Sequence, residues 1–99
     1  MTTDRAALEV EWLRLTREVL PALAEPRGWP VRNDHCFQRI LLDNACGAPW
    51  YDRIAGRPAY RHADPTTLAE AVMLARAVQA GEADLFALNR ASLTWRGKT

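Results

Sequence analysis

Lysine is nearly missing from this chain: Lys98 is the only one, and arginine supplies the rest of the thirteen cations. Arginine grips anions bidentately where lysine cannot, but a GC-rich coding sequence produces the same bias and is the simpler account. Cysteine and histidine are scarce as well, with two of each. Two cysteines cannot build a disulfide framework. On one helix, Cys36 and Cys46 would lie about 15 Å apart at ~1.5 Å per residue. A disulfide needs Cα atoms within roughly 7 Å, so no bridge is expected, which suits a reducing compartment. Apolar runs are short, none approaching the roughly 20 residues that span a bilayer. The N-terminus carries acids early and has no apolar signal stretch, so a cytoplasmic location without membrane attachment is expected. Net charge is small too. Thirteen basic against twelve acidic residues leave +1, and each third of the chain is close to neutral. No global field therefore favours nucleic acid.

What remains is an ordinary globular composition. The 99 residues are 48% hydrophobic and 25% charged, enough for one core but not two. No repeat or low-complexity tract is visible, and no segment alternates with period two long enough to read as a strand. The expected fold is all-α: one domain over residues 1–99, a compact bundle of four main helices with a short helix or ordered loop at about 49–62.

The helices announce themselves by caps and stripes. Thr3 or Asp4 caps a first helix reaching Leu20 or Leu23, with Leu8, Trp12, Leu15, Val19 and Leu23 on one face. Pro21 should kink or end it. Asn33 or Asp34 caps a second helix over 35–46, which Gly47 stops. Phe37, Ile40, Leu41 and Ala45 make its apolar arc, leaving His35, Arg39, Asp43 and Cys46 on the other side. Asp64-Pro65 opens a third helix, carried by Leu68, Ala71, Val72, Leu74, Ala75 and Val78 and ended by Gly81. The fourth is expected over 82–95, with Leu85, Phe86, Leu88, Leu93 and Trp95 facing inward.

Between the second and third helices the periodicity fails. Residues 49–55 could make two helical turns, but Gly56 and Pro58 prevent more. A connection of this length is usually functional or disordered, and its aromatics favour order. Both histidines, both cysteines, both tyrosines and Trp50 fall within 33–62, so any chemistry is expected there.

Several residues in or facing that stretch are candidates. Cys36, near a helix N-terminus beside His35 and Arg39, is placed to be a nucleophile, the commoner alternative being a small core residue. His35, Cys36, Cys46 and His62 have ligand chemistry but no zinc-site spacing, so no metal is expected. Asn44, Asn89 and Ser92 interrupt apolar arcs. They either bond the backbone of the 47–63 connection or line a pocket roofed by Trp50, Tyr51 and Tyr60. Arg53, Arg57 and Arg61 are spaced by four, but Gly56 and Pro58 forbid the helix that would make them a stripe. Singly, Arg53, or Arg61 with His62, could hold an anion or pair with a neighbouring acid.

The strings DHCFQRILLDN at 34–44, PAYRH at 58–62 and LTWRG at 93–97 resemble small bacterial proteins labelled as GNAT-type N-acetyltransferases. That resemblance implies acetyl-CoA as cofactor and acetyl transfer as activity. The superfamily's cofactor loop follows R/Q-x-x-G-x-G/A between a strand and a helix. The nearest match here is RIAGRP at 53–58, where proline offers no amide to the pyrophosphate. No catalytic residue carries over.

The sequence therefore favours a small helical binding or regulatory module, without a resident cofactor. It would act on a small molecule or protein partner through helix 35–46 and the 47–62 connection, perhaps as a homodimer. Its ligand-binding candidates are Arg39, Asn44, Trp50, Tyr51, Arg53, Tyr60, Arg61, His62 and Asn89. The alternative is an acetyltransferase-related protein or a thiol enzyme using Cys36, with acetyl-CoA as its cofactor in the former case. A helix-turn-helix over 65–95 is disfavoured, since Glu82 and Asp84 stand where nucleic acid needs donors.

Overall fold

Proline does not end the first helix. In the computed structural model, which describes residues 4–98, helical structure runs unbroken from 5 to 24. It consists of α1 (Arg5–Arg14), a π-turn (Leu15–Val19) and α2 (Leu20–Ala24). In the π-turn the Leu20 N–H reaches back five residues to the Leu15 carbonyl. This opens the helix just where Pro21 lacks a donor and would crowd the preceding turn. Pro21 then occupies the first turn of α2, where a missing N–H is tolerated. The π-turn also inserts one residue into the apolar stripe. Trp12 and Leu15 are buried as expected, but beyond the turn the buried positions are Leu20 and Ala24 rather than Val19 and Leu23. Asp4 caps α1 by accepting from the Ala6 N–H at 3.0 Å, while Thr3 lies outside the described residues.

Helix α3 (Asp34–Cys46) occupies the centre, touching α2, the π-turn, α5 and α6. Asn33 stands at its N-cap without a side-chain bond, and Asp34 Oδ1 accepts the His35 N–H instead at 2.8 Å. At the other end Gly47 adopts φ 70° and its N–H returns to the Asp43 carbonyl at 2.8 Å. A left-handed residue is what this closure requires. The following connection holds less helix than expected. Only Trp50–Asp52 form a 3-10 turn, and Ala59–His62 form the single turn α4. Ile54, Tyr60 and Ala63 are buried and pin this segment to the core.

Helix α5 (Pro65–Gln79) begins as read, Asp64 accepting the Thr67 N–H at 3.0 Å. It buries Leu68, Ala71, Val72, Ala75 and Val78, with Leu74 only partly covered. Helix α6 (Leu85–Trp95) starts later than expected, because residues 80–83 belong to the turn that ends α5. There the Glu82 and Ala83 N–H groups bond the Ala77 carbonyl at 2.8 and 3.2 Å. Asp84 is the actual N-cap, accepting the Phe86 N–H at 2.9 Å.

The inward face of α6 also differs from the expected arc. Leu85 and Ser92 are buried, whereas Phe86 and Trp95 are 44% and 40% exposed. Helix α6 turns this polar face toward α3 for a reason that lies in the site itself.

The core joins Trp12, Leu15 and Leu20 to Phe37, Ile40 and Leu41 of α3, and to Leu68 and Val72 of α5. Each such side chain stabilises the fold by about 1.5–3 kcal/mol on burial. Arg27 closes the exposed end of α5, its Nη1 and Nη2 donating to the Val78 and Gln79 carbonyls at 2.9 and 2.8 Å. Among the described residues there is no strand, and no helix is long and apolar enough to cross a membrane.

Candidate functional site

Asp43 is fully buried, although the α3 wheel put it on the solvent side. Three donors outside α3 explain how. Arg96, just past α6, straddles the carboxylate with Nε at 2.7 Å from Oδ2 and Nη2 at 3.0 Å from Oδ1. Ser92 Oγ donates to Oδ2 at 2.6 Å, and the Trp50 N–H donates to Oδ1 at 2.8 Å. The Arg96 side chain is 18% exposed and Asp43 is 0% exposed. Their hydrogen bond holds the guanidinium pKa above its ordinary value, against the opposing effect of burial.

The network continues outward. Arg39 Nη1 donates to Ser92 Oγ at 2.7 Å and Arg39 Nη2 to Asn89 Oδ1 at 2.8 Å. These bonds account for Asn89 and Ser92 in the α6 arc: they are acceptors for an arginine of α3. Asn44 follows a different logic from either expectation. Its Nδ2 donates to the carbonyls of Ile40 and Leu88 at 2.8 and 2.9 Å, so it ties α3 to α6 rather than to the connection or a pocket under the aromatics.

Beside this network lies a cleft of about 430 Å³. His35, Gln38, Arg39 and Leu42 of α3 form one wall. Trp50 and Tyr51 of the 3-10 turn, followed by Arg57, Pro58, Ala59 and Tyr60, form the other, and Arg96 completes the lining. The aromatic side chains are themselves organised by cations. Arg57 Cζ sits 5.0 Å from the Trp50 ring centroid and Arg96 Cζ sits 5.1 Å from that of Tyr51. The two rings meet edge to face at 5.8 Å and 78°.

Of the sequence candidates, the cleft therefore gathers His35, Arg39, Trp50, Tyr51 and Tyr60. Asn44, Arg53, Arg61, His62 and Asn89 do not line it. Arg53 belongs to a separate depression with Cys46, Ile54 and Asp64, and Arg61 lies over Tyr60 with Cζ 5.9 Å from the ring centroid. The His62 imidazole packs over Gly56, whose φ of 118° and missing Cβ leave room for it.

Cys36 keeps its place at the start of α3 but does not line the cleft. The Cys46 thiol is pushed above its ordinary pKa, first by burial and then by the charge of Asp43, which disfavours a thiolate. Among the described residues no three His, Cys, Asp or Glu side chains cluster as metal ligands would. The RIAGRP segment sits between the 3-10 turn and α4, with a cis bond at Arg57–Pro58 and no strand before it among the described residues.

Sequence reasoning missed Gln38, Leu42, Arg57 and Arg96 as cleft residues and Asp43 as their organiser. Arg57 stood out only as one of three arginines spaced by four. No local signal links Asp43 to Arg96, which lies 53 residues away.

No family model, curated protein or solved structure matches this chain. The cleft has to be read from its own chemistry.

That chemistry is asymmetric. Arg96 has a carboxylate partner in Asp43, whereas Arg39 is held only by the neutral Ser92 and Asn89, and Arg57 only by stacking on Trp50. No carboxylate lines the cleft among the described residues. The lining thus offers guanidinium donors without acceptors of opposite charge, against aromatic and aliphatic walls.

Proposed function

We propose that the chain is a ligand-binding module whose cleft, between α3 and the 47–62 connection, takes a small organic anion. One observation carries this reading: Arg39 and Arg57 face the same cleft and neither has a carboxylate partner. Arg39 is half-buried, and a partly desolvated cation gains most from an ionised partner. An arginine with a purely architectural role would be expected to find an acid, as Arg96 does in Asp43. The walls of Leu42, Trp50, Pro58 and Tyr60 supply apolar area for the body of the ligand. Fixed placement of Trp50 and Arg96 by one buried carboxylate keeps the cleft formed before binding, which reduces the ordering cost.

Two free cysteines fit such a module in a reducing, cytoplasmic setting. Titration calorimetry tests the assignment with aromatic carboxylates, sulfates and phosphates against aromatic amines. Anions should bind and amines should not, and Arg57→Gln should weaken anion binding by about tenfold, the effect of one charge-assisted contact. Arg57 is exposed, so its replacement should leave the far-UV circular dichroism unchanged. Equal binding of amines, or no loss in Arg57→Gln, overturns the reading.

A further inference from the structure

We infer that the preferred anion is a phosphomonoester on an aromatic body, in a small molecule. This inference rests on the anion-binding reading above and narrows it. Charge is the first argument. Arg39, Arg57 and Arg96 line the cleft, and Asp43 behind it neutralises one of the three. Two positive charges are left without an internal counterpart, which a dianion answers and a monoanion does not. A phosphomonoester carries about −1.5 to −2 at neutral pH, with its second ionisation near pH ~6.

Donor geometry is the second argument. A guanidinium has five N–H donors in one plane. Arg39 donates from Nη1 to Ser92 and from Nη2 to Asn89, which leaves part of its fork available. Arg57 stacks on Trp50, an arrangement that occupies its flat face and leaves its edge for an acceptor. Three phosphoryl oxygens can accept from both forks together, whereas a carboxylate has only two oxygens.

Size and lining supply the third. A volume of about 430 Å³ is generous for the head group alone, and the remaining wall is Leu42, Trp50, Tyr51, Pro58, Ala59 and Tyr60. Aromatic and aliphatic side chains of this kind suit a flat apolar body.

The test compares phenyl phosphate with phenyl sulfate, a near-isosteric monoanion, by calorimetry at about pH 8 and about pH 5. Phenyl phosphate should bind about tenfold more tightly at the higher pH, and the ratio should approach one at the lower pH as the second proton returns. Comparing the two ligands as a ratio cancels any contribution from His35, which at the cleft wall would affect both alike. Inorganic phosphate should bind about tenfold more weakly than phenyl phosphate, because it lacks the ring. Arg57→Gln should abolish the phosphate-to-sulfate ratio while the fold persists.

Equal affinity for sulfate and phosphate at about pH 8 would remove the phosphomonoester assignment yet leave an anion cleft standing. Equal affinity for inorganic and phenyl phosphate would remove the aromatic body. Tighter binding of a short phosphotyrosine peptide than of phenyl phosphate would replace the small molecule by a protein partner. Binding of no anion at all would refute the underlying reading as well.

Discussion

Removing Arg96 should harm this protein more than neutralising Asp43, although the two form one ion pair. The asymmetry follows from where each charge lies. Asp43 is 0% exposed, while the Arg96 side chain is 18% exposed and sits at the end of α6. In Arg96→Met the apolar stem is kept, but a buried carboxylate is left with only Ser92 Oγ and the Trp50 N–H. Leaving a buried charge without its partner costs about 3–5 kcal/mol.

In Asp43→Asn the side chain keeps its shape and can still accept from Trp50, and the freed guanidinium can turn to water. The expected cost is about 1.5–3 kcal/mol, in the range of hydrogen bonds to charged groups. Total stability for a domain of this size is about 5–15 kcal/mol, so the Arg96 loss is large but survivable. Urea unfolding followed by tryptophan emission and far-UV circular dichroism gives the comparison. With m near 2 kcal/mol/M, Arg96→Met should lower the midpoint by about 2 M. The double variant Asp43→Asn with Arg96→Met should cost less than the two singles added together, since the partner's absence is no longer felt. A midpoint for Arg96→Met close to that of the parent, or a greater loss in Asp43→Asn, would refute the account of a carboxylate held by its arginine.

Gly56→Ala places a Cβ 2.7 Å from the His62 ring at a φ of 118°. It should cost about 1–3 kcal/mol by urea unfolding, and a loss of a few tenths would mean that the turn relaxes freely. Asp64 has its pKa lowered, first by the Thr67 backbone N–H it accepts. Its folded value lies below its unfolded one, so its charge stabilises the fold above the unfolded pKa and ceases to as pH falls through the folded value. The stability gap between the parent and Asp64→Asn should therefore be open at neutral pH and close below about pH 4, as urea midpoints across that range would register. A gap independent of pH would show that the cap acts only by hydrogen bonding.

The helices were legible because their signals are local. Asp64-Pro65 and Gly47 mark ends whose geometry depends on a few neighbouring residues. Aromatics in a glycine- and proline-punctuated stretch likewise drew Trp50, Tyr51 and Tyr60 into the expected site, and the cleft does gather them. What failed was every inference that needed a second element. Asp43 looked solvent-facing because a helical wheel registers one helix and not the two segments that cover it. Asn44 looked like a pocket residue because nothing nearby reveals that the Leu88 carbonyl, 44 residues on, awaits its amide. The Ser92 and Asn89 positions were correctly marked as anomalies, yet their partner Arg39 could be assigned only once α3 and α6 were docked. Phe86 and Trp95 were read inward for the same reason: the face that α6 buries is chosen by hydrogen bonding to α3 as well as by hydropathy.

The π-turn makes the first helix a splice of two phasings rather than a uniform rod. Striking out any one residue between Leu15 and Val19 would restore regular α-helical winding, yet it would rotate everything downstream by about 100°. Leu20 and Ala24 would swing away from the interior, and Pro21 would meet an unwidened turn. Single-residue deletions, usually fatal anywhere in a buried helix and harmless in a loop, would here punish the molecule by repairing its local geometry.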